Sequence, residues 1–273
     1  MGAIGENLQA AILGLVQGLT EFLPVSSTGH LVLAREVLGL GAGQSAATAL
    51  AFDAVIQTAT AFAIVLFYRR DLAMLGRGAL VRGSAERAEA RSLAVATLPA
   101  IALGLALEST IEGSLRGVGA VVFGLVAGSA LLAFAEIAGR RRAAAATGAS
   151  LSWPRALGVG VFQALALLPG MSRSGSTIAG ATLAGFGRAA AARFAFLLGV
   201  PILIGSGGKK LLDIAADGTL ATVWQPLLIA SAVGLISGYL AIGALTRFLS
   251  TRTLWPFVWY RLALAAALAL WVL

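Results

Sequence analysis

Six apolar stretches, each long enough to cross a lipid bilayer, limit the fold more than any other feature of the sequence. They cover about 46–68, 92–108, 117–138, 189–212, 226–248 and 255–272. A helix of about 20 apolar residues spans the hydrocarbon core of a bilayer. Hydrophobic residues make up 59% of the chain and charged residues 12%, which excludes an ordinary soluble domain. The runs are rich in Leu, Ala and Gly and lack strand alternation, so we predict an all-α polytopic membrane protein.

Two further apolar segments, 7–38 and 152–187, are each interrupted in the middle by Pro, Gly, Ser and Thr. The interruptions read EFLPVSSTGH (21–30) and LPGMSRSGST (168–177). Non-helical backbone at membrane depth is tolerated where it is buried in protein or lines a polar cavity. We therefore predict two re-entrant helix–loop–helix hairpins in addition to six transmembrane helices.

The two hairpins resemble each other at a constant offset of 146 residues. The identical pairs at this offset are Ala10/Ala156, Gly14/Gly160, Gln17/Gln163, Leu19/Leu165, Ser26/Ser172 and Gly29/Gly175. A hairpin returns to its own side of the membrane, whereas three spans carry the chain across, so the two halves must be inverted. We predict a single transmembrane domain over 1–273, with repeat halves of about 1–140 and 150–273 whose hairpin tips meet near the midplane.

The distribution of basic residues predicts the orientation in the membrane. Thirteen arginines fall on one side: Arg69, Arg70, Arg77, Arg82, Arg87, Arg91, Arg140, Arg141, Arg142, Arg155, Arg188, Arg247 and Arg252. Four basic residues fall on the other: Arg35, Arg116, Lys209 and Lys210. The side with the excess is the cytoplasmic one, so both termini and the entrance of hairpin one face outward. The stretches 69–91 and 139–155 are then expected to be cytoplasmic loops beside anionic lipid, and a nucleic-acid partner is not expected.

Each interruption ends in hydroxyl residues and Gly immediately before a new helical half, which is a helix N-terminal signature. The candidate phosphate-binding side chains are Ser26, Thr28, Ser172, Arg173, Ser174 and Thr177. Backbone N–H groups at two converging helix starts, with the guanidinium of Arg173, would form an oxyanion site. The alternatives are ordinary helix capping and a structural ion pair of Arg173 with Glu21 or Asp53.

Glu21 and Gln17 stand four residues apart and project from one helical face toward the first interruption. A carboxylate beside an amide oxygen suits a hard divalent cation, Mg²⁺ or Ca²⁺, although Glu21 alone could also extend to the membrane interface. His30 is the single histidine of the chain, and it is a candidate general base, general acid or phosphoryl acceptor. A packing role is its alternative.

Other polar residues within the apolar segments receive weaker predictions. Asp53 and Gln57 are four residues apart on the third helix, where they either line the same cavity or pair with an arginine. Glu136, Arg193 and Arg261 lie nearer the ends of spans, and we interpret them as structural. The absence of cysteine excludes disulfides and cysteine-ligated metals.

The segments GLTEFLPVSSTGHL and LPGMSRSGSTIAG resemble the two signature regions of the bacterial undecaprenyl-diphosphate phosphatases, also called bacitracin-resistance proteins. The resemblance implies hydrolysis of a C55 isoprenoid diphosphate to its monophosphate and phosphate, which recycles the lipid carrier for cell-wall synthesis. It also implies dependence on a divalent metal and an active site at the outer face of the cytoplasmic membrane. The family motifs correspond here to Gln17, Glu21, Ser26, Ser27, His30, Ser172, Arg173, Ser174 and Thr177. The family accepts Gln or Glu at the first place, and Gln17 weakens any scheme that needs two carboxylates on the metal.

The sequence leaves several points of this hypothesis open. The expected catalytic residues are Glu21, Ser27, His30 and Arg173, and the attacking group is Ser27, His30 or a water molecule. Inverted repeats with broken helices are also typical of transporters, so a prenyl-phosphate flippase, or a phosphatase that also flips its product, is the alternative function. The expected partners are the polyprenyl diphosphate substrate and membrane lipid, and a homodimer is left open.

Overall fold

The computed structural model describes residues 5–39, 46–107, 117–139 and 150–272, and within these ranges it contains eleven α-helices and no β-strand. The helices are α1 (Glu6–Phe22), α2 (Ser27–Leu38), α3 (Ala46–Phe67), α4 (Arg69–Gly78), α5 (Ala85–Ala106), α6 (Val118–Gly139), α7 (Trp153–Ala164), α8 (Arg173–Leu183), α9 (Arg188–Ala216), α10 (Leu220–Thr251) and α11 (Trp255–Val272). A short 3-10 helix, Leu165–Leu167, follows α7 directly. The expected all-α class is confirmed for the described ranges.

Five of these helices are long and apolar enough to cross a membrane. The qualifying segments are Thr48–Phe67, Ala85–Ala106, Val118–Gly139, Arg188–Ala216 and Leu220–Thr251. The last apolar stretch, Trp255–Trp271, is helical but shorter than these five. Large apolar side chains such as Phe123, Ile236 and Leu240 are more than half exposed, which suits contact with lipid rather than water. The fold is that of a polytopic membrane protein, whereas the sixth span and the re-entrant course of the hairpins stay predictions.

Both interrupted segments break where the sequence predicts, and the two breaks have the same local geometry. Ser26 caps α2 with a φ of 73°, and Ser172 caps α8 with a φ of 70°, in the left-handed region that non-glycine residues seldom occupy. The Ser26 hydroxyl accepts from Gly29 N at 3.4 Å, and the Ser172 hydroxyl accepts from Gly175 N at 3.2 Å. Backbone strain of this kind persists only where the surrounding structure enforces it.

The first helix of each hairpin packs on a long helix of the other half. Helix α1 lies mainly against α10, and α7 lies mainly against α5. Both contacts depend on a glycine, because a Cβ at Gly14 would overlap the backbone of Ala230 and a Cβ at Gly160 would overlap the backbone carbonyl of Ala96. These two glycines are one of the pairs that match at the 146-residue offset. Each half thus supplies a long helix on which the first hairpin helix of the other half packs. This arrangement agrees with an inverted repeat, which stays a prediction.

The stretch 69–91, expected to be a cytoplasmic loop, is mostly helical and belongs to α4 and the start of α5. Its cytoplasmic location stays a prediction. Leu75 of α4 is buried. Arg193 of α9 pairs with Asp71 of α4, with Nε and Oδ1 2.6 Å apart, and also with Glu89 of α5. These contacts hold both helices against α9, and the segment forms helices although it is rich in basic residues.

The sequence also predicts a structural role for Glu136, a charged residue near the end of a span. Glu136 of α6 pairs with Arg188 and accepts a hydrogen bond from Leu254 N at 3.1 Å, in agreement with a structural role.

Of the basic residues used to predict the orientation, Arg116 and Arg140–Arg142 lie outside the described residues. The predicted loop 139–155 is described only at its two ends, where α6 finishes at Gly139 and α7 begins at Trp153.

Candidate active site

The two helix breaks border one partly open cavity of about 220 Å³, to which α3, α5 and α9 also contribute. Its polar lining residues are Glu21, Ser26, Ser27, Thr28, Gln57, Gln163, Ser172, Arg173 and Ser206. Its remaining lining residues are Ala100, Ala166, Leu167, Leu168, Gly170, Ile202 and Leu203. A cavity that combines convergent polar groups with apolar side chains suits a ligand with a polar head and an apolar tail.

Glu21 is the centre of a hydrogen-bonded cluster that joins the two breaks. Gln17 Nε2 and Ser27 Oγ each donate to Glu21 Oε2 at 2.9 Å. Arg173 donates to Glu21 Oε1 through Nε at 3.3 Å and through Nη2 at 3.0 Å. Glu21 is 5% exposed, so this ion pair is largely shielded from water. Of the two carboxylates that the sequence offers to Arg173, the partner is Glu21.

The guanidinium of Arg173 is held in a slot on α9. Its Nη1 donates to Ala195 O at 3.3 Å, and a Cβ at Gly199 would overlap the guanidinium. Three of its five N–H groups thus donate to protein oxygens, and two remain for a ligand in the cavity. A planar guanidinium with free N–H groups suits a phosphoryl group.

The hydroxyls of the first break lie where the sequence predicts. Ser26, Ser27 and Thr28 all line the cavity. At the start of α2 the N–H of Gly29 donates to the Ser26 hydroxyl, so the N–H groups of Ser27 and Thr28 are the ones left to favour an anion at the break.

The predicted hydroxyls of the second break divide into two kinds. Ser172 lines the cavity, and its hydroxyl lies 3.2 Å from that of Ser174. Ser174 and Thr177 are fully buried and outside the cavity wall. Ser174 Oγ donates to Leu23 O at 3.1 Å, and Thr177 Oγ1 donates to Arg173 O at 2.8 Å. Ser174 therefore fixes the second break against the first, whereas Thr177 bonds within its own helix, and neither hydroxyl faces the cavity.

His30, a candidate catalytic residue from the sequence, is outside the cavity wall and is engaged on both ring nitrogens by groups other than Ser27. Nδ1 lies 2.7 Å from Ser26 O, and since a carbonyl only accepts, Nδ1 carries the proton. Nε2 lies 2.7 Å from the hydroxyl of Tyr260, and the two rings stack with their centroids 5.5 Å apart. Tyr260 belongs to α11, and no sequence pattern near either residue predicts this contact. In this arrangement His30 holds the backbone of the first break.

Asp53 and Gln57 have separate surroundings although they are one helical turn apart. Asp53 pairs with Arg35, with Oδ1 and Nη2 2.8 Å apart, and it is outside the cavity wall. Gln57 lines the cavity. Of the two alternatives that the sequence leaves open, pairing with an arginine applies to Asp53 and lining the cavity applies to Gln57.

Arg261 is fully buried, and it connects the two breaks through backbone carbonyls rather than a carboxylate. It donates to Pro24 O at 3.3 Å, Gly124 O at 3.0 Å, Leu125 O at 3.2 Å, Gly170 O at 3.0 Å and Ser129 Oγ at 3.3 Å. Pro24 belongs to the first break and Gly170 to the second. The structural interpretation of Arg261 agrees with these contacts, although the sequence did not predict that it joins the two breaks.

A cation site would have to be built around Glu21. Within the described ranges, no group of three or more His, Asp or Glu side chains is arranged to hold a metal. Gln17 Oε1 is a buried oxygen without a hydrogen-bond partner, on the side chain whose Nε2 contacts Glu21. These two residues fit a hard cation that takes its other ligands from phosphate oxygens and water.

The chain is similar over nearly its whole length to known proteins. Residues 10–267 match the family model described as bacitracin resistance protein BacA. A Nocardioides sp. protein named undecaprenyl-diphosphatase is 40% identical over 274 residues, which cover 96% of this chain and 95% of that protein. Proteins of the same name from Anaeromyxobacter sp. and Rubrobacter xylanophilus are 42% identical (97% of this chain, 91% of that protein) and 39% identical (97% of each). This chain belongs to the bacitracin resistance protein family.

Proposed function

We propose that this protein is a membrane phosphatase that hydrolyses undecaprenyl diphosphate to undecaprenyl phosphate and inorganic phosphate. The observation that carries the proposal is the cluster of Glu21, Ser27 and Arg173 at the wall of one cavity. A carboxylate, a hydroxyl and a guanidinium supply the proton acceptor, the nucleophile and the positive charge that phosphoryl transfer needs. The names of the relatives support the same activity. Recycling of the lipid carrier and resistance to bacitracin would follow from it.

The contacts of Ser27 favour it as the attacking group. Ser27 Oγ already donates to Glu21 Oε2, so Glu21 is the acceptor for the proton that Ser27 loses as Oγ attacks the terminal phosphorus. The bond from that phosphorus to the bridging oxygen breaks, and the prenyl monophosphate leaves with the electron pair and takes a proton from Glu21 or water. Water then hydrolyses the phosphoserine, releases inorganic phosphate and restores the Ser27 hydroxyl.

Positive charge and backbone donors stabilise the transferred group in this mechanism. The two N–H groups of Arg173 that remain free, together with the N–H groups at the starts of α2 and α8, supply donors from both breaks. The two helix dipoles favour an anion at the same point. Positioning by rigid helix starts lowers the barrier because the reacting groups need little reorganisation.

The proposed cofactor is one divalent cation, Mg²⁺ or Ca²⁺, held by Glu21 and by the free oxygen of Gln17. When bound, such a cation neutralises phosphate oxygens and favours departure of the monophosphate. A chelator in excess should therefore abolish phosphate release, and addition of Mg²⁺ or Ca²⁺ should restore it. Full activity after dialysis against chelator would contradict the cofactor proposal and leave the Ser27 route standing.

The proposed location is the bacterial cytoplasmic membrane, with both termini and the active site facing outward. Support comes from the basic residues. Ten of the thirteen predicted cytoplasmic arginines are at described positions, and they lie in α4, in the α4–α5 turn or at the ends of α5, α7, α9 and α10. The opposite set contains Arg35, Lys209 and Lys210. The substrate is then reached from the outer leaflet.

A phosphate-release assay tests the activity. Purified protein in detergent should release phosphate from a prenyl diphosphate, and Glu21→Gln, Ser27→Ala and Arg173→Lys should each lower kcat by on the order of 10²-fold or more. Lysine fails at 173 because it lacks the planar fork of donors. The matched control is Arg82→Lys at an exposed site, which should leave kcat unchanged. A prenyl-phosphate transporter would bind the substrate and release no phosphate.

Trapping identifies the nucleophile. With substrate labelled in its terminal phosphate, rapid acid quench should recover a phosphoenzyme labelled at Ser27, and Ser27→Ala should remove the label. Isotopic oxygen from water appearing in the first-formed phosphate, with no labelled enzyme, would exclude the Ser27 route and favour direct attack by water.

A further inference from the structure

Gln163 is a buried amide in the cavity wall whose side chain has no partner. It lies near the end of α7 and is 2% exposed. Neither its Nε2 nor its Oε1 makes a hydrogen bond. Buried polar groups are nearly always paired, so an unpaired amide in a ligand cavity points to a partner supplied by the ligand.

The counterpart of Gln163 in the first hairpin shows what kind of partner is missing. At the 146-residue offset Gln163 matches Gln17, whose Nε2 donates to the carboxylate of Glu21 four residues later. The position four residues after Gln163 is Leu167, which cannot accept a hydrogen bond. Leu167 lines the same cavity. The second hairpin thus keeps the donor and lacks the anion.

We propose that Gln163 Nε2 donates to a non-bridging oxygen of the substrate phosphate that carries the prenyl chain. The phosphate supplies the anionic acceptor that position 167 lacks. This inference rests on the proposed function and adds a subsite to it: the terminal phosphate lies at Ser27 and Arg173, and the prenyl-bearing phosphate lies at Gln163.

The neighbours of Gln163 explain why its partner is the prenyl-bearing phosphate. Leu167 and Leu168 follow it along the chain and line the cavity, together with Ile202 and Leu203 of α9. An apolar chain attached to this phosphate would continue along these side chains. A neutral amide also binds a phosphate less strongly than a guanidinium does, which suits a group that must leave as product.

The first test replaces the amide by an apolar group of similar size. Gln163→Leu should raise KM for a prenyl diphosphate about tenfold or more, which corresponds to the loss of one hydrogen bond to a charged group. The same change should leave the melting temperature of the ligand-free protein unchanged or raised, because no hydrogen bond is lost in that state. A merely structural Gln163 would give the opposite result, with lower stability and unchanged KM.

Product inhibition tests which phosphate is bound. Farnesyl monophosphate retains the prenyl-bearing phosphate, whereas orthophosphate corresponds to the terminal one. Gln163→Leu should weaken inhibition by farnesyl monophosphate about tenfold or more and leave inhibition by orthophosphate unchanged. Equal weakening of both, or weakening of orthophosphate alone, would overturn the assignment to the prenyl-bearing phosphate.

A second pair of variants keeps the test decisive should Gln163→Leu fail to fold. Leu167→Glu introduces the missing carboxylate, which would take the Gln163 donor and repel the phosphate, whereas Leu167→Gln has the same size without the charge. KM should be about tenfold or more higher for Leu167→Glu than for Leu167→Gln. Equal KM values in an active wild-type background would overturn this inference alone. Absence of phosphate release by the wild-type protein would instead overturn the proposed function.

Discussion

Two guanidinium groups near the helix breaks have different roles, and their partners distinguish them. Arg173 pairs with Glu21 at the cavity wall and keeps N–H groups free, whereas Arg261 is fully buried and donates to backbone carbonyls of both breaks. A charge within the membrane costs about 2.5–3.5 kcal/mol on insertion scales, so each needs compensation. Pairing with Glu21 leaves N–H groups of Arg173 free for a ligand. The backbone carbonyls that accept from Arg261 instead hold the two breaks together.

The slot for Arg173 gives a prediction at a residue that never contacts the substrate. Gly199→Ala should displace the guanidinium and lower kcat/KM by on the order of 10- to 100-fold, because the new methyl group overlaps Arg173 rather than any backbone atom. The control is Gly205→Ala on the same helix, where a Cβ meets nothing within 4 Å. Both variants should have melting temperatures close to wild type. Equal kcat/KM values for the two would show that the position of the guanidinium within its slot is unimportant.

At the scale of elements, the sequence predicts the breaks well and the contacts between distant elements poorly. Pro, Gly and hydroxyl residues interrupt helices and cap new ones through local chemistry, so both capping serines and the residues lining the cavity at each break are found from local pattern. The partnership of His30 with Tyr260 joins positions 230 residues apart, and that of Arg193 with Asp71 joins positions 122 apart. A pattern within a few consecutive residues cannot predict contacts between positions so far apart in the sequence. For this reason the helix in 69–91 and the surroundings of His30 required the structure.

The packing of α7 on α5 supplies a prediction about element stability. Gly160→Ala should destabilise the protein by about 1–3 kcal/mol, because its Cβ would overlap the carbonyl of Ala96 and the ring of Pro99. Gly158→Ala on the same helix, where a Cβ meets nothing within 4 Å, should stabilise by about 0.5–1 kcal/mol through helix propensity. Thermal unfolding in one detergent measures both. A lower melting temperature for Gly158→Ala than for Gly160→Ala would contradict the glycine-mediated contact.

For the whole molecule, the site exists only because the two halves meet. Glu21 and Ser27 come from the first hairpin, Arg173 comes from the second, and Arg261 of the last helix joins Pro24 to Gly170. Each hairpin also packs on a helix of the other half. A half expressed alone would lack either the carboxylate or the guanidinium, so the division into repeats does not divide the function.

The inverted arrangement predicts which positions are reached from outside the cell. Because the chain has no cysteine, one introduced thiol reports one position. A membrane-impermeant thiol reagent on intact cells should label Glu6→Cys before hairpin one and Ala216→Cys at the end of α9, both of which are exposed. Arg82→Cys and Arg155→Cys, also exposed, should be labelled only after the membrane is opened, because the arginine excess puts them in the cytoplasm. Labelling of Glu6→Cys and Arg155→Cys from the same side would mean that both hairpins enter through one leaflet, and the inverted repeat would be wrong.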